Sequence, residues 1–412
     1  MSSLSIVKSR TGFYEHAVLN ALARMTCGSL SLTLPSGERI QIGTQGAKNE
    51  AHIEIKDPVF FKRLVLYGDI GFGEAYVDGM WETDNITNVI KWVLLNIENA
   101  PSVSGSKAKG LALNLFKWLN RLYHNGRANS ISGSQKNIAE HYDLNNDFFA
   151  TFLDPSMTYS SGYFYRDDLT LLESQYAKYE RLCRQLKLQS TDHVLEIGSG
   201  WGGNAIYMAK NYGCRVTSVT ISVAQQKLAA ARVEAAGLSA LVDIVICDYR
   251  DLHGKYDKIV SIEMLEAVGH NYYETYFAKC DELLKQDGIL AFQVITSPDS
   301  RYDHLRKGVD WIQKHIFPGS LLPSVAKIND AVNKTGDLTL VDLKDMGLDY
   351  ARTLKLWFEQ FNVNLNAVKA LGFDDRFIRK WQYYLNYCEA AFAMRNINVM
   401  QMVYVRPNNT AR

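Results

Sequence analysis

A chain of 412 residues is longer than one ordinary hydrophobic core, so two domains are expected. The formal net charge of +1 excludes a protein-wide nucleic-acid surface, and no nucleic-acid partner is expected. Six scattered cysteines, with no CxxC and no His-rich partner motif, exclude a disulfide or zinc framework; they read as reduced thiols, and no metal is expected.

The opening MSSLSIVKSR lacks the apolar run of a signal peptide. No stretch approaches the roughly 20 apolar residues that span a bilayer. The chain is therefore expected in the cytoplasm, with any membrane contact peripheral.

Residues 1–100 read as a small α+β unit. Residues 13–25 have helical character. Residues 28–34 and 39–42 alternate about the turn Pro35-Ser36-Gly37-Glu38, the pattern of a hairpin, and 51–55 form another short strand. The stretch 57–67, DPVFFKRLVLY, starts with Asp then Pro, a helix-start signal. Residues 68–81 are rich in glycine and aromatics, and 85–96 read as a helix. No catalytic constellation stands out, so this unit is expected to bind rather than react.

Residues 101–136 have the composition of a linker around a broad-faced helix at 111–123, LALNLFKWLNRLY. Lys117 and Arg121 lie four apart, away from the apolar face that holds Trp118. Such a helix suits a membrane interface; packing against the protein is its competing use.

From 137 to 412 strands and helices alternate. Strands are expected at 194–197, 216–220, 242–247, 258–262, 289–295, 338–343 and 399–405. Helices are expected at 175–186, 224–234, 273–284 and 351–362. This alternation implies an α/β fold whose parallel sheet is covered on both faces, with ligands outside the carboxyl ends of the strands.

The stretch 192–205, DHVLEIGSGWGGNA, joins a buried strand to a glycine turn and a helix start. Gly198, Gly200 and Gly203 fit GxGxxG, the dinucleotide pattern; Glu196, Gly198, Gly200 and Gly202 fit ExGxGxG, the S-adenosylmethionine pattern. The next strand ends in VTISVAQ (219–225), without the acid that a dinucleotide ribose requires. Asp248 follows the third strand, where it can accept from an adenine amino group. Glu263 and Glu266 follow the fourth, two carboxylates three apart beside the presumed cleft. Gln293 lies in the fifth strand and can hydrogen-bond but not titrate. Tyr350 precedes the helix TLKLWFEQF at 353–361.

Nine blocks together resemble the cyclopropane-fatty-acyl-phospholipid synthase family. They are HYDLNNDFF (141–149), TYSSGYF (158–164), VLEIGSGWGG (194–203), VTISVAQ (219–225), CDYRDL (247–252), EMLEAVG (263–269), FPGSLLPS (317–324), LDYARTLKLW (348–357) and YYLNYCEAAF (383–392). The resemblance spans nearly the whole chain. It implies a Rossmann-like class I methyltransferase domain at 137–412, with a mostly parallel seven-stranded sheet, and a lipid-binding domain at 1–100. It implies transfer from S-adenosylmethionine to an unsaturated phospholipid acyl chain at the inner membrane face, by a homodimer. Tyr159, Ser160, Gly198, Gly200, Gly202, Thr220, Ser222, Gln225 and Asp248 would line the cofactor site. Glu266 and Tyr350 would hold a bicarbonate ion, with the Ser161 N–H touching it. Many members have Cys at Ser161 and His at Gln293, so proton handling there is expected to differ. The cyclopropane product competes with a methyl-branched or methylene chain from the same cation. A lipid- or cofactor-binding protein without catalysis is the reading of another class.

Overall fold

The computed structural model describes residues 12–99 and 146–409. Lys117, Trp118 and Arg121 lie outside the described residues. No described helix is long and apolar enough to cross a membrane.

The first unit carries strands β1 (Ser29–Thr33), β2 (Arg39–Gly43), β3 (Glu50–Ile55) and β4 (Trp81–Glu82), in the order β2-β1-β3-β4. β1 and β2 make the expected antiparallel hairpin, while β3 runs parallel to β1. Alternation places Leu30, Leu32, Ile53 and Ile55 in the core.

The helix read at 57–67 continues well beyond Tyr67, as Val59–Val77, broken only at Gly68 with φ 60° and ψ −133°. Glycine weakens an isolated helix. Here packing overrides propensity: a Cβ on Gly73 would lie 2.5 Å from the Trp311 ring and 2.7 Å from the Tyr383 ring. Beside this contact Glu74 accepts from Lys314 at 2.8 Å and from His315 at 3.0 Å. The first unit is thus joined closely to the second.

The second unit holds β5 (His193–Ile197), β6 (Arg215–Thr220), β7 (Val242–Ile246), β8 (Tyr256–Ile262), β9 (Leu284–Thr296), β10 (Thr339–Asp345) and β11 (Asn398–Val405). Their order is β10-β11-β9-β8-β5-β6-β7. All seven expected strands are present. β5 to β9 pair in parallel; β11 runs antiparallel to both β9 and β10, so the sheet is mostly parallel. Val194, Leu195 and Ile197 are buried because helices cover both faces. From β5 the chain adds β6 and β7 on one side, then β8 and β9 on the other. That reversal opens a crevice at the carboxyl end of β5. The helix Asp375–Ala393 packs on Gly347–Val363 and on the first unit's Ile86–Leu95.

Candidate active site

The glycine turn follows β5, with positive φ at Gly198 (99°), Gly200 (48°) and Gly202 (83°). A Cβ on Gly200 would meet nothing within 4 Å, so this backbone faces open space. Gly202 instead packs on Ala229, and it heads the helix Gly203–Tyr212. Beneath the turn Glu196 accepts from Asn204 at 2.8 Å and from Ser218. Burial raises its carboxyl to about 7.

Most of the expected cofactor residues gather around this turn, but Gly202 and Ser222 do not line its cavity. Thr220 Oγ1 donates to Gln225 Oε1 at 2.9 Å, and both line the same cavity as Gly198 and Gly200. Asp248 lines it too, gripped by Arg250 through Nε at 2.8 Å and Nη2 at 2.6 Å. Tyr159 and Ser160 close the opposite wall. The Tyr159 hydroxyl pairs with that of Tyr384 at 2.8 Å, and Ser160 Oγ accepts from Lys178 at 2.6 Å. Ser222 caps the helix Val223–Ala235 instead, accepting from the Gln225 N–H at 3.3 Å.

The cavity measures about 780 Å³. It does not end at the turn. It runs on between Leu32, Ile53, Phe60 and Ile90 of the first unit and Tyr383 and Tyr387 of the helix Asp375–Ala393. One end is polar and shaped by backbone; the rest is mostly apolar.

Where the two ends meet lie Glu263, Glu266 and Tyr350. Glu266 and Tyr350 were to share one anion. Tyr350 instead donates to Glu263. Glu263 Oε1 also accepts from the Ser161 N–H at 2.9 Å and from Gln293 Nε2 at 2.7 Å. Glu266, on the short helix Leu265–Ala267, lines the same cavity and accepts from the Ile295 N–H. Its second oxygen is buried with no hydrogen-bond partner among the described residues.

A chain of amides fixes the direction of the Gln293 bond. Arg181, which can only donate, gives a hydrogen bond to Gln401 Oε1 at 2.8 Å and another to Asp342 at 2.6 Å. Gln401 must then turn its Nε2 to Gln293 Oε1, at 3.0 Å. Gln293 is left with only its Nε2 for Glu263.

The electrostatics follow this geometry. Burial raises the Glu263 carboxyl, while Lys178, Ser161, Gln293 and Tyr350 pull it back. Burial lowers the Lys178 ammonium to about 7, opposed by the charge of Glu263. Glu266 has less support: burial, then the charge of Glu263, raises it to about 8.

The Glu266 shift has a measurable consequence. A carboxyl raised in the folded state contributes stability that is complete below its ordinary value of 4.5 and is lost as pH rises through about 8. Glu266→Gln cannot titrate. Its unfolding free energy relative to wild type should therefore climb between pH 4.5 and about 8. Urea unfolding at a series of pH values measures this; a constant difference would contradict the burial of Glu266.

The sequence alone marks Glu263 without a role and does not mark Lys178. The position of Glu263 directly after β8, where ligands of such folds bind, was the available signal. Lys178 lies inside a helix, and nothing local marks it.

Residues 130–402 match the family described as mycolic acid cyclopropane synthetase. The cyclopropane-fatty-acyl-phospholipid synthase of Escherichia coli strain K12 is 40% identical over 366 residues, 86% of this chain and 88% of that one. The tuberculostearic acid methyltransferase UfaA1 of Mycobacterium tuberculosis is 38% identical over 403 residues, 95% of this chain and 91% of that one. The solved structure of mycolic acid cyclopropane synthase CmaA1 complexed with SAH and CTAB aligns with TM-score 0.61 at 29% identity, covering 66% of this chain and 97% of that one. With the glycine turn, the seven-stranded sheet and these relatives in view, the chain belongs to the mycolic acid cyclopropane synthetase family and is an S-adenosylmethionine-dependent methyltransferase.

Proposed function

We propose that the enzyme transfers the methyl carbon of S-adenosylmethionine to a cis double bond in an unsaturated phospholipid acyl chain and closes a cyclopropane ring. One observation carries this reading: a single cavity joins the glycine turn to an apolar passage through both units. A cofactor with a charged sulfonium suits the first part and an acyl chain the second.

The sulfonium methyl is electrophilic, and the π electrons attack it. The C–S bond breaks, S-adenosylhomocysteine leaves, and a cation develops on the neighbouring carbon. A base then takes a proton from the new methyl, and that C–H pair closes the ring. The apolar walls keep water from the cation, and fixed geometry supplies much of the rate.

Bicarbonate is the base that the resemblance implies. The residues present do not fit it as a separate ion. The Ser161 N–H, Gln293 and Tyr350 all donate to Glu263, and Glu266 is engaged by Ile295.

A methyl-branched or methylene product is the second reading, favoured by the likeness to the tuberculostearic acid methyltransferase over 95% of this chain. A hydride shift before loss of a proton from the new methyl would give the methylene chain; a saturated methyl branch would also require a hydride donor. In either case residues 1–100 present the lipid to a catalytic domain at 137–412. The segment 101–136, with Lys117, Arg121 and Trp118, docks a homodimer on the cytoplasmic face of the membrane.

Purified protein given methyl-labelled S-adenosylmethionine should label vesicles of an unsaturated phospholipid and leave saturated vesicles unlabelled. Proton NMR of the product distinguishes a ring methylene from an exocyclic one. Equal or absent labelling of both vesicle types would overturn the reading, and failure to sediment with anionic vesicles would overturn the docking.

A further inference from the structure

Glu263 stands at a backbone position that disfavours a side chain. Its φ is +50°, at the carboxyl end of β8. Glycine adopts that conformation without strain; other residues adopt it at a cost. Strain of this kind collects where function requires a particular group.

The surroundings of Glu263 are built to receive an anion. A backbone N–H from Ser161 can only donate. Gln293 is forced to donate by the Arg181–Gln401 chain. The Tyr350 hydroxyl donates as well. These are the groups expected to hold bicarbonate, and the Glu263 carboxylate fills the place among them. Glu263 also lines the cavity, with Gly198 on the cofactor side and Ile295 and Leu354 on the apolar side.

We propose that the Glu263 carboxylate is the base of this enzyme and takes the proton from the transferred methyl directly, so that turnover requires no bicarbonate. The inference rests on the proposed alkene methylation, and it holds for the ring and the methylene product alike, since both require proton loss. The π pair forms the new C–C bond, and the C–S pair goes to sulfur. A Glu263 oxygen takes a proton from the new methyl, whose C–H pair closes onto the cation. Glu263 ends as the neutral acid, and its proton passes to water when the product leaves.

Its environment suits that cycle. Burial raises the carboxyl and so makes the carboxylate a better base, while Lys178 and the three donors keep the ionised form accessible. Glu266, held by the backbone N–H groups of Ile295 and of its own residue, has no cation or side-chain donor among the described residues to support it in the same way.

The test is turnover of labelled S-adenosylmethionine on unsaturated phospholipid vesicles, in buffer purged of carbon dioxide and in the same buffer with added bicarbonate. Wild type should turn over at the same rate in both. Glu263→Gln keeps the shape but cannot accept the proton, and should lose about a hundredfold or more in kcat while S-adenosylmethionine affinity is retained. Glu263→Gly relaxes the backbone and exposes the three donors. It should be nearly inactive in purged buffer and gain activity with bicarbonate, and it carries the test if the glutamine variant fails to fold. Wild-type activity that collapses on purging and returns with bicarbonate would overturn the proposal. So would a Glu263→Gly variant that is fully active in purged buffer. Wild type that labels no lipid in either buffer sinks the alkene-methylation reading itself, which separates the two failures.

Discussion

Gly200→Val should lower S-adenosylmethionine affinity by about a hundredfold or more, equivalent to about 2.8 kcal/mol. Two effects combine. The φ of 48° is a left-handed conformation in which a β-branched residue is a strong outlier. The new side chain would also project into space that no protein atom fills within 4 Å, beside Thr220 and Asp248 in the same cavity. The folded protein has room for it; the cofactor does not. Binding should therefore suffer more than stability. Isothermal calorimetry and a melting curve on one preparation separate the two. Unchanged affinity would remove the glycine turn from the cofactor site.

Gly73→Val has the largest expected effect on stability. The first added carbon would already sit 2.5 Å from Trp311 and 2.7 Å from Tyr383. Both rings are fully buried and rigid, so neither can move aside without displacing its own neighbours. Overpacking costs about 1–3 kcal/mol where a core partly adapts, and adaptation here is restricted by backbone on one side and two rings on the other. The cost should reach at least about 3 kcal/mol, with the first unit's helix Val59–Val77 pushed off the second unit. The urea midpoint measures it. A variant as stable as wild type would mean that the two units do not pack through this glycine.

The sheet was legible because its cause is local. A run such as Val194–Leu195 followed by crowded glycines announces a buried strand and a turn whatever the remainder of the chain does. The same holds for the first hairpin, which its turn residues mark. The helix Val59–Val77 was legible only as far as Tyr67, because Gly71 and Gly73 look like helix breakers until Trp311 and Tyr383, some 240 and 310 residues on, are seen against Gly73. The partner of Tyr350 was not legible for a similar reason. Glu263 and Glu266 have the same side chain and neighbouring positions. Which one meets Tyr350 depends on a single backbone angle and on donors from residues 161, 293 and 350. Gln293 was noticed as a departure from the family, but its role depends on Gln401 and Arg181, which no local pattern connects to it.

The Arg181–Gln401–Gln293 chain behaves as a wire that carries sign rather than charge. Each amide has two ends of opposite character, and flipping the first obliges the second to flip. The terminal instruction comes from Arg181, which is largely buried and anchored by Asp342. An acceptor in place of Arg181 would invert both amides and turn the Gln293 carbonyl toward the Glu263 carboxylate. Oxygen would then face oxygen, and Glu263 would hold a proton it now gives up. A mutation that touches neither cofactor nor lipid could in this way switch a base off without moving it.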